Sequence, residues 1–205
     1  MGIIFKMIIK KYPLGPLQAN CYFLIERGDL ILIDPGDEAS FILEEIQRQR
    51  LNLVGIFATH GHFDHIGAAG EIQKSFDVPF YISKKDLFLV ERLNETARYF
   101  LGYHPYFLTP RNIKNLEIEN SLKIKNFKLK IIFTPGHTPG SVCFYFEKEK
   151  IVFTGDTLFK DGVGRTDFSY SSSKDLKISL SKIFSLYPDI IVYPGHGREA
   201  ILNTR

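Results

Sequence analysis

Thr59-His60-Gly61-His62-Phe63-Asp64-His65 gathers three imidazoles and a carboxylate into positions 60–65 of a 205-residue chain. Nitrogen and oxygen donors without thiolate suit a borderline or hard divalent cation. One cation cannot use them all. In an extended loop His60 and His62 project together, whereas Asp64 and His65 begin the next turn and face a neighbouring position, so the spacing points to two adjacent sites. The apolar residues Ile56, Phe57 and Ala58 precede the cluster. They read as the end of a buried strand that delivers His60 to its edge.

The same pattern recurs three times further along the chain. Ile131-Ile132-Phe133-Thr134-Pro135-Gly136 runs into His137, Ile151-Val152-Phe153-Thr154-Gly155 into Asp156, and Ile191-Val192-Tyr193-Pro194-Gly195 into His196. Of the 6 histidines only His104 lies outside these strand ends, in an aromatic stretch where a surface or packing role is expected. His137 can complete the first site and His196 the second, and Asp156 has two oxygens able to bridge them.

Around these points the periodicity predicts strands over residues 3–9, 21–26 and 30–34, with a turn at Arg27-Gly28-Asp29, and a helix from an Asp37 N-cap to Arg50. A strand over 53–59, a helix over 68–76, a strand over 79–82 and a helix over 85–101 follow. Residues 102–120, with Tyr103, Tyr106 and Phe107, read as an aromatic loop and a candidate substrate lid. Strands are expected at 121–125, 128–134, 142–146 and 151–154, then a Gly-rich turn region at 155–164, a helix over 174–186 and a last strand over 190–193. Two sheets with helices outside are the simplest packing of this order. The length fits one domain over 1–205.

The formal charge of +3 with scattered lysines does not suggest nucleic acid. No apolar run approaches a membrane span, and Met7 is an alternative to Met1 as the natural start. Cys21 and Cys143 lack disulfide or CxxC spacing, which makes a reducing cytoplasm the default.

Together with Gly-His-Thr-Pro-Gly-Ser at 136–141, Thr-Gly-Asp-Thr-Leu-Phe at 154–159 and Pro-Gly-His-Gly at 194–197, the opening motif resembles the metallo-β-lactamase superfamily, and within it the glyoxalase II-like hydrolases. The resemblance runs from Leu32-Ile33-Asp34-Pro35-Gly36 to His196. It implies a four-layer αββα sandwich of the α/β class. It also implies one metal on His60, His62 and His137, a second on Asp64, His65 and His196, and Asp156 between them, so that Asp64 and Asp156 count as catalytic as well as metal-binding. Asp34 matches an acidic residue that supports the metal loop, and capping the turn before Pro35 is its other reading. Zinc is the first expectation, with iron or manganese as alternatives.

The reaction so implied is hydrolysis of a small-molecule thioester, such as a hydroxyacylglutathione, by hydroxide generated at the metals. Only residues 197–205 follow His196 here, without the helical glutathione-binding domain of glyoxalase II. Arg165 is a candidate grip for a substrate carboxylate, or an internal partner of Asp167, and Tyr103 and Tyr106 are candidate substrate contacts. The stretch Gly164-Arg165-Thr166-Asp167 also resembles the persulfide dioxygenases, which implies an alternative single iron on His60, His137 and Asp156. Aspartate at 156, where β-lactamases commonly carry a metal-binding cysteine, disfavours that branch. A nuclease would need a basic clamp.

Overall fold

The computed structural model describes residues 6–118, 120–186 and 188–202. Strands β1 (Ile8–Leu14), β2 (Ala19–Glu26) and β3 (Asp29–Ile33) form an antiparallel meander, closed between β2 and β3 by Arg27 and Gly28, both at positive φ. Helix α1 (Ala39–Arg48) leads to β4 (Asn52–Phe57), the one-turn α2 (Phe63–Ile66), α3 (Ala69–Ser75) and β5 (Phe80–Ile82). A 3-10 turn (Lys84–Asp86), α4 (Leu87–Glu91) and α5 (Leu93–Leu101) precede β6 (Ile113–Asn115) and a second 3-10 turn (Leu116–Ile118). Then come β7 (Ser121–Ile124), β8 (Phe127–Phe133), β9 (Val142–Phe146), β10 (Ile151–Gly155), the small hairpin β11 (Leu158–Phe159) and β12 (Gly162–Val163), α6 (Ser173–Phe184), β13 (Ile190–Pro194) and β14 (Ala200–Leu202).

The first six strands make one sheet in sequence order, and the second sheet runs β14-β13-β10-β9-β8-β7. Alternation of side chains along each strand builds the layers. In β2, Tyr22 and Leu24 face the second sheet, whereas Cys21, Phe23 and Ile25 face α1 and α3. In β9, Val142, Phe144 and Phe146 face inward and Cys143 and Tyr145 lie on the α6 side. The result is the four-layer αββα sandwich. Each fully buried large side chain contributes about 1.5–3 kcal/mol, and the inter-sheet layer alone holds Tyr22, Phe57, Phe127, Phe144, Phe146 and Phe153 at under 2% exposure.

Several expected boundaries move. The first strand is described from Ile8, residues 3–5 of its expected span lying outside the described residues, and it continues through Pro13 to Leu14. Proline is tolerated there because β1 is an edge strand. Asp37 does not cap α1; Glu38 holds the N-cap in left-handed backbone with no side-chain bond, while Asp37 Oδ1 accepts from the Glu38 amide. The helix expected over 85–101 breaks at Arg92, which lets Val90 before the break and Leu93 and Ala97 after it all enter the core. The loop expected over 102–120 supplies the edge strand β6, and β14 extends the chain beyond the strand expected to be last. Among the described residues no helix is long and apolar enough to cross a membrane.

Candidate metal centre

Strand β4 ends at Phe57, two residues before Thr59 and three before His60, and β8, β10 and β13 lead into His137, Asp156 and His196. Strand β9 is antiparallel to both β8 and β10, and β10 is parallel to β13, so these last three strands end at one edge of the second sheet. His62 is the N-cap of α2 in extended backbone, and the following turn carries Asp64 and His65. All seven residues picked out in the sequence therefore meet at one seam between the sheets.

The donor atoms form two adjacent groups. His60 Nε2 and His137 Nε2 lie 3.1 and 3.0 Å from His62 Nδ1. Asp64 Oδ2 lies 3.6 Å from His65 Nε2 and 3.3 Å from His196 Nε2. Asp156 faces both groups, with Oδ1 3.4 Å from His65 Nε2 and Oδ2 3.5 Å from His137 Nε2 and 3.8 Å from His196 Nε2. Ligands bound about 2.1 Å from a tetrahedral ion stand about 3.4 Å apart. Each set, His60-His62-His137 and Asp64-His65-His196, falls within 4.8 Å, as does His60-His65-Asp156.

The outer ring nitrogens fix which atoms face inward. His65 Nδ1–H donates to Asp34 Oδ2 (3.0 Å), His137 Nδ1–H to the Arg165 carbonyl (2.8 Å) and His196 Nδ1–H to the Leu17 carbonyl (3.1 Å). Thr59 Oγ1 gives its proton to Asp34 Oδ2 (2.7 Å), so it accepts from His60 Nδ1 (3.1 Å). His62 Nε2 meets the Tyr170 hydroxyl at 2.9 Å. With these protons committed outward, the inner nitrogens of His60, His62 and His137 present lone pairs to one another. His65 Nε2 and Asp156 Oδ1 are buried with no hydrogen-bond partner, a costly state that a cation relieves. The donor set fits divalent ions.

The local electrostatics agree. Burial opposes protonation of His65, yet Asp64, Asp156 and Asp34 outweigh it and push the imidazole up to about 10. Three carboxylates therefore call for a positive charge at that point. His62, buried among neighbouring imidazoles, falls to about 3, and His60 is lowered for the same reasons. Burial raises the Asp64 carboxyl, but His65 and His196 more than reverse it.

Asp34 supports the metal loop, its Oδ1 accepting from the Thr59 amide at 2.7 Å. A second buried carboxylate, Asp86, has no motif around it and escapes a reading by pattern. Its Oδ2 accepts from Gly61 N (2.9 Å) and Thr138 Oγ1 (2.7 Å) and its Oδ1 from Gly140 N (2.6 Å), which ties the loop bearing His60 and His62 to the one bearing His137.

Beside the centre a cavity of about 210 Å³ is walled by Leu17, Phe63, Phe100, Arg165, Phe168 and Tyr170. Arg165 forms a two-bond pair with Asp167, both bonds 2.6 Å, and lies 4.6 Å over the Phe168 ring. Tyr103 and Tyr106, expected as substrate contacts, are exposed and do not line this cavity. Their loop is tied down instead of hanging free: Asn94 brackets Phe107 with two 2.8 Å bonds, and Phe107 packs on the helical core. Phe100, Phe168 and Tyr170 take the place of the expected aromatic wall; no spacing in the sequence marks them. His104 stacks on Tyr106 in that loop, away from the centre.

The profile of the metallo-β-lactamase superfamily matches residues 14–196. Hydroxyacylglutathione hydrolase GloC of Haemophilus influenzae is 39% identical over 194 residues, which cover 93% of this chain and 91% of that protein. Among solved structures, the BLEG-1 B3 metallo-β-lactamase aligns with a TM-score of 0.89 at 33% identity, covering 96% of this chain and 95% of its own. TTHA1623 in a di-iron-bound form aligns with a TM-score of 0.86 at 36% identity, covering 95% and 96%.

Proposed function

From the premise that the chain belongs to the metallo-β-lactamase superfamily of metal-binding hydrolases, we propose that it is a two-metal thioester hydrolase acting on a hydroxyacyl thioester of glutathione or a similar thiol. The observation that carries the reading is the pair of facing, orphaned donors His65 Nε2 and Asp156 Oδ1 at the heart of the centre. His60, His62 and His137 would hold one ion and Asp64, His65 and His196 the other, with Asp156 serving both. Divalent cations held there supply Lewis acidity toward a carbonyl and bring the ionisation of water into the neutral range.

The chain's own residues account for the rest. Asp34, Thr59 and the carbonyls of Leu17 and Arg165 hold the imidazoles in the tautomer that directs lone pairs inward. Leu17, Phe63, Phe100 and Phe168 exclude water from the approach, and the Arg165–Asp167 pair stands at its rim. Apart from the donors themselves, the polar walls of this cavity are Thr96, Arg165 and Tyr170. Of these only the Tyr170 phenol has a proton to give at neutral pH, and it is engaged with His62 Nε2. A thiolate leaves without such help, whereas an amine does not, which favours a thioester over a lactam. The likeness to GloC supports the same branch, and iron in TTHA1623 keeps the metal open.

The test is metal analysis of protein purified without added metal, followed by three assays: lactoylglutathione hydrolysis, oxygen uptake with glutathione persulfide, and β-lactam turnover. The expected outcome is two ions per chain and thioester hydrolysis that a chelator or Asp156→Ala abolishes. A single iron with oxygen consumption overturns the reading in favour of persulfide oxidation. Lactam turnover without thioester hydrolysis overturns it in favour of a lactamase.

A further inference from the structure

Each of the five histidines at the centre has its outer nitrogen held, but the holders differ in kind. Two are backbone carbonyls, of Leu17 and Arg165, and two are the buried Asp34 and Thr59. The fifth is the phenol of Tyr170, 2.9 Å from His62 Nε2, and its side chain forms part of the cavity wall. His62 also differs from the other four in turning Nδ1 inward, where it stands 3.1 Å from His60 Nε2 and 3.0 Å from His137 Nε2. An inward Nδ1 places the outer Nε2–H at the far tip of the ring, beyond reach of its own loop, so the acceptor must come from another element. Tyr170 supplies it from 108 residues further along the chain. Its ring is fixed by stacking on Phe168 (5.3 Å, 17°) and by an edge contact with Phe88 (5.3 Å).

We infer that Tyr170 is a positioning residue for the first metal site: its hydroxyl accepts the His62 Nε2 proton and so keeps Nδ1 free to bind an ion. This rests on the two-metal reading above. Without the phenol oxygen, His62 can place its proton on Nδ1, where His60 Nε2 or His137 Nε2 would accept it and the first site would lose a donor. Groups that hold metal-binding histidines from outside typically govern roughly ten- to a hundredfold in affinity. The effect belongs to one site only, because among the described residues Tyr170 meets His62, Phe88 and Phe168 and bonds to none of Asp64, His65 and His196.

The experiment is zinc titration of metal-free protein against a chromophoric chelator, in two backgrounds that each retain one site. Asp64→Asn leaves the first site, and His137→Ala leaves the second. Tyr170→Phe, which keeps the ring and its stacking, is expected to weaken zinc roughly ten- to a hundredfold in the Asp64→Asn background and not at all in the His137→Ala background. Nitrogen NMR of His62 in the metal-free protein should show the proton moving from Nε2 toward Nδ1, a change that a loss of packing alone would not produce. Equal zinc affinity with and without the hydroxyl overturns the inference and leaves the two-metal reading standing, as does equal weakening in both backgrounds. Failure of the otherwise unaltered protein to take up zinc overturns both.

Discussion

Gly36 is the point at which the end of β3 presses on the metal loop, and its replacement by alanine tests whether backbone placement there controls the second metal site. A methyl group on Gly36 would stand 2.5 Å from the Asp64 carbonyl carbon and 3.2 Å from His65 N, and closer still to the Asp64 carbonyl oxygen. These are backbone atoms that no rotamer change can move aside. Restoring ordinary contact of about 3.4 Å to the carbonyl carbon alone requires the turn to retreat by at least about 1 Å, the nearer carbonyl oxygen demanding more, and overpacking of this kind costs about 1–3 kcal/mol. The turn carries both Asp64, whose Oδ2 lies 3.3 Å from His196 Nε2, and His65, held 3.0 Å from Asp34. Metal sites tolerate about 0.2 Å of misplacement, so the second ion should be lost. A misplacement of ~1 Å is sufficient for about a hundredfold loss of turnover. The assay compares Gly36→Ala with Gly162→Ala, where a methyl group meets nothing within 4 Å, by metal content, melting temperature and thioester turnover. For a chain of this length the stability cost corresponds to a drop of roughly 2–12 °C. A Gly36→Ala protein that binds two ions and turns over like the control would refute the reasoning.

Two further outcomes follow from buried carboxylates. Asp86→Ala strips acceptors from Gly61 N, Gly140 N and Thr138 Oγ1; leaving two backbone donors unpaired in a buried place costs about 2–6 kcal/mol, readable by urea unfolding, and a loss below about 1 kcal/mol would contradict the clamp. Glu45 is held at about 2, first by its hydrogen bond from Arg48 and then, against burial, by Tyr12 and Gln49. A carboxyl lowered in the fold stabilises fully above its unfolded value of about 4.3 and loses that contribution as pH falls through the folded value. The stability gap between the unaltered protein and Glu45→Gln should therefore be constant from pH 7 to about 5 and close by about pH 2, and a gap that widens toward acid would reverse the sign.

The elements legible in the sequence were those whose side-chain pattern and burial coincide. Val142–Phe146 matches its predicted strand residue for residue, because both of its faces are buried and a continuous apolar run results. All four strand ends that carry donors were legible for the same reason: a buried strand stops abruptly at a polar residue. Strands β1, β6 and β14 were displaced or missed because edge strands need little apolar surface, and β1 even accommodates Pro13. The break at Arg92 carries no proline or glycine signal, and its cause is tertiary. Within the centre, side chains that reach across the fold were invisible. Asp86 bonds to residues 25, 52 and 54 positions away, and Tyr170 to one at 108, separations that no local period encodes. Tyr103 and Tyr106 failed for the opposite reason, since an aromatic-rich loop looks the same in sequence whether it lines a cavity or covers a core.

The placement of the centre at a seam has an energetic consequence. His60, His62, Asp64 and His65 follow β4 of the first sheet, whereas His137, Asp156 and His196 follow strands of the second, and each cluster of donors draws on both. Facing lone pairs and carboxylates repel across such a seam, and the fold has to hold them there regardless of any ion. It does so with the inter-sheet aromatic layer and with direct ties near the seam: Asn20 N donates to the Gly195 carbonyl (2.7 Å), and Asn20 Nδ2 and the Tyr22 hydroxyl both donate to the Pro194 carbonyl (2.9 and 2.6 Å). A cation bound at the seam would add ligand bonds between the sheets at the place where the side chains otherwise oppose contact. Preorganised donors of this kind spend some stability on readiness to bind. The large inter-sheet core is therefore as much a requirement of the site as the seven side chains that compose it.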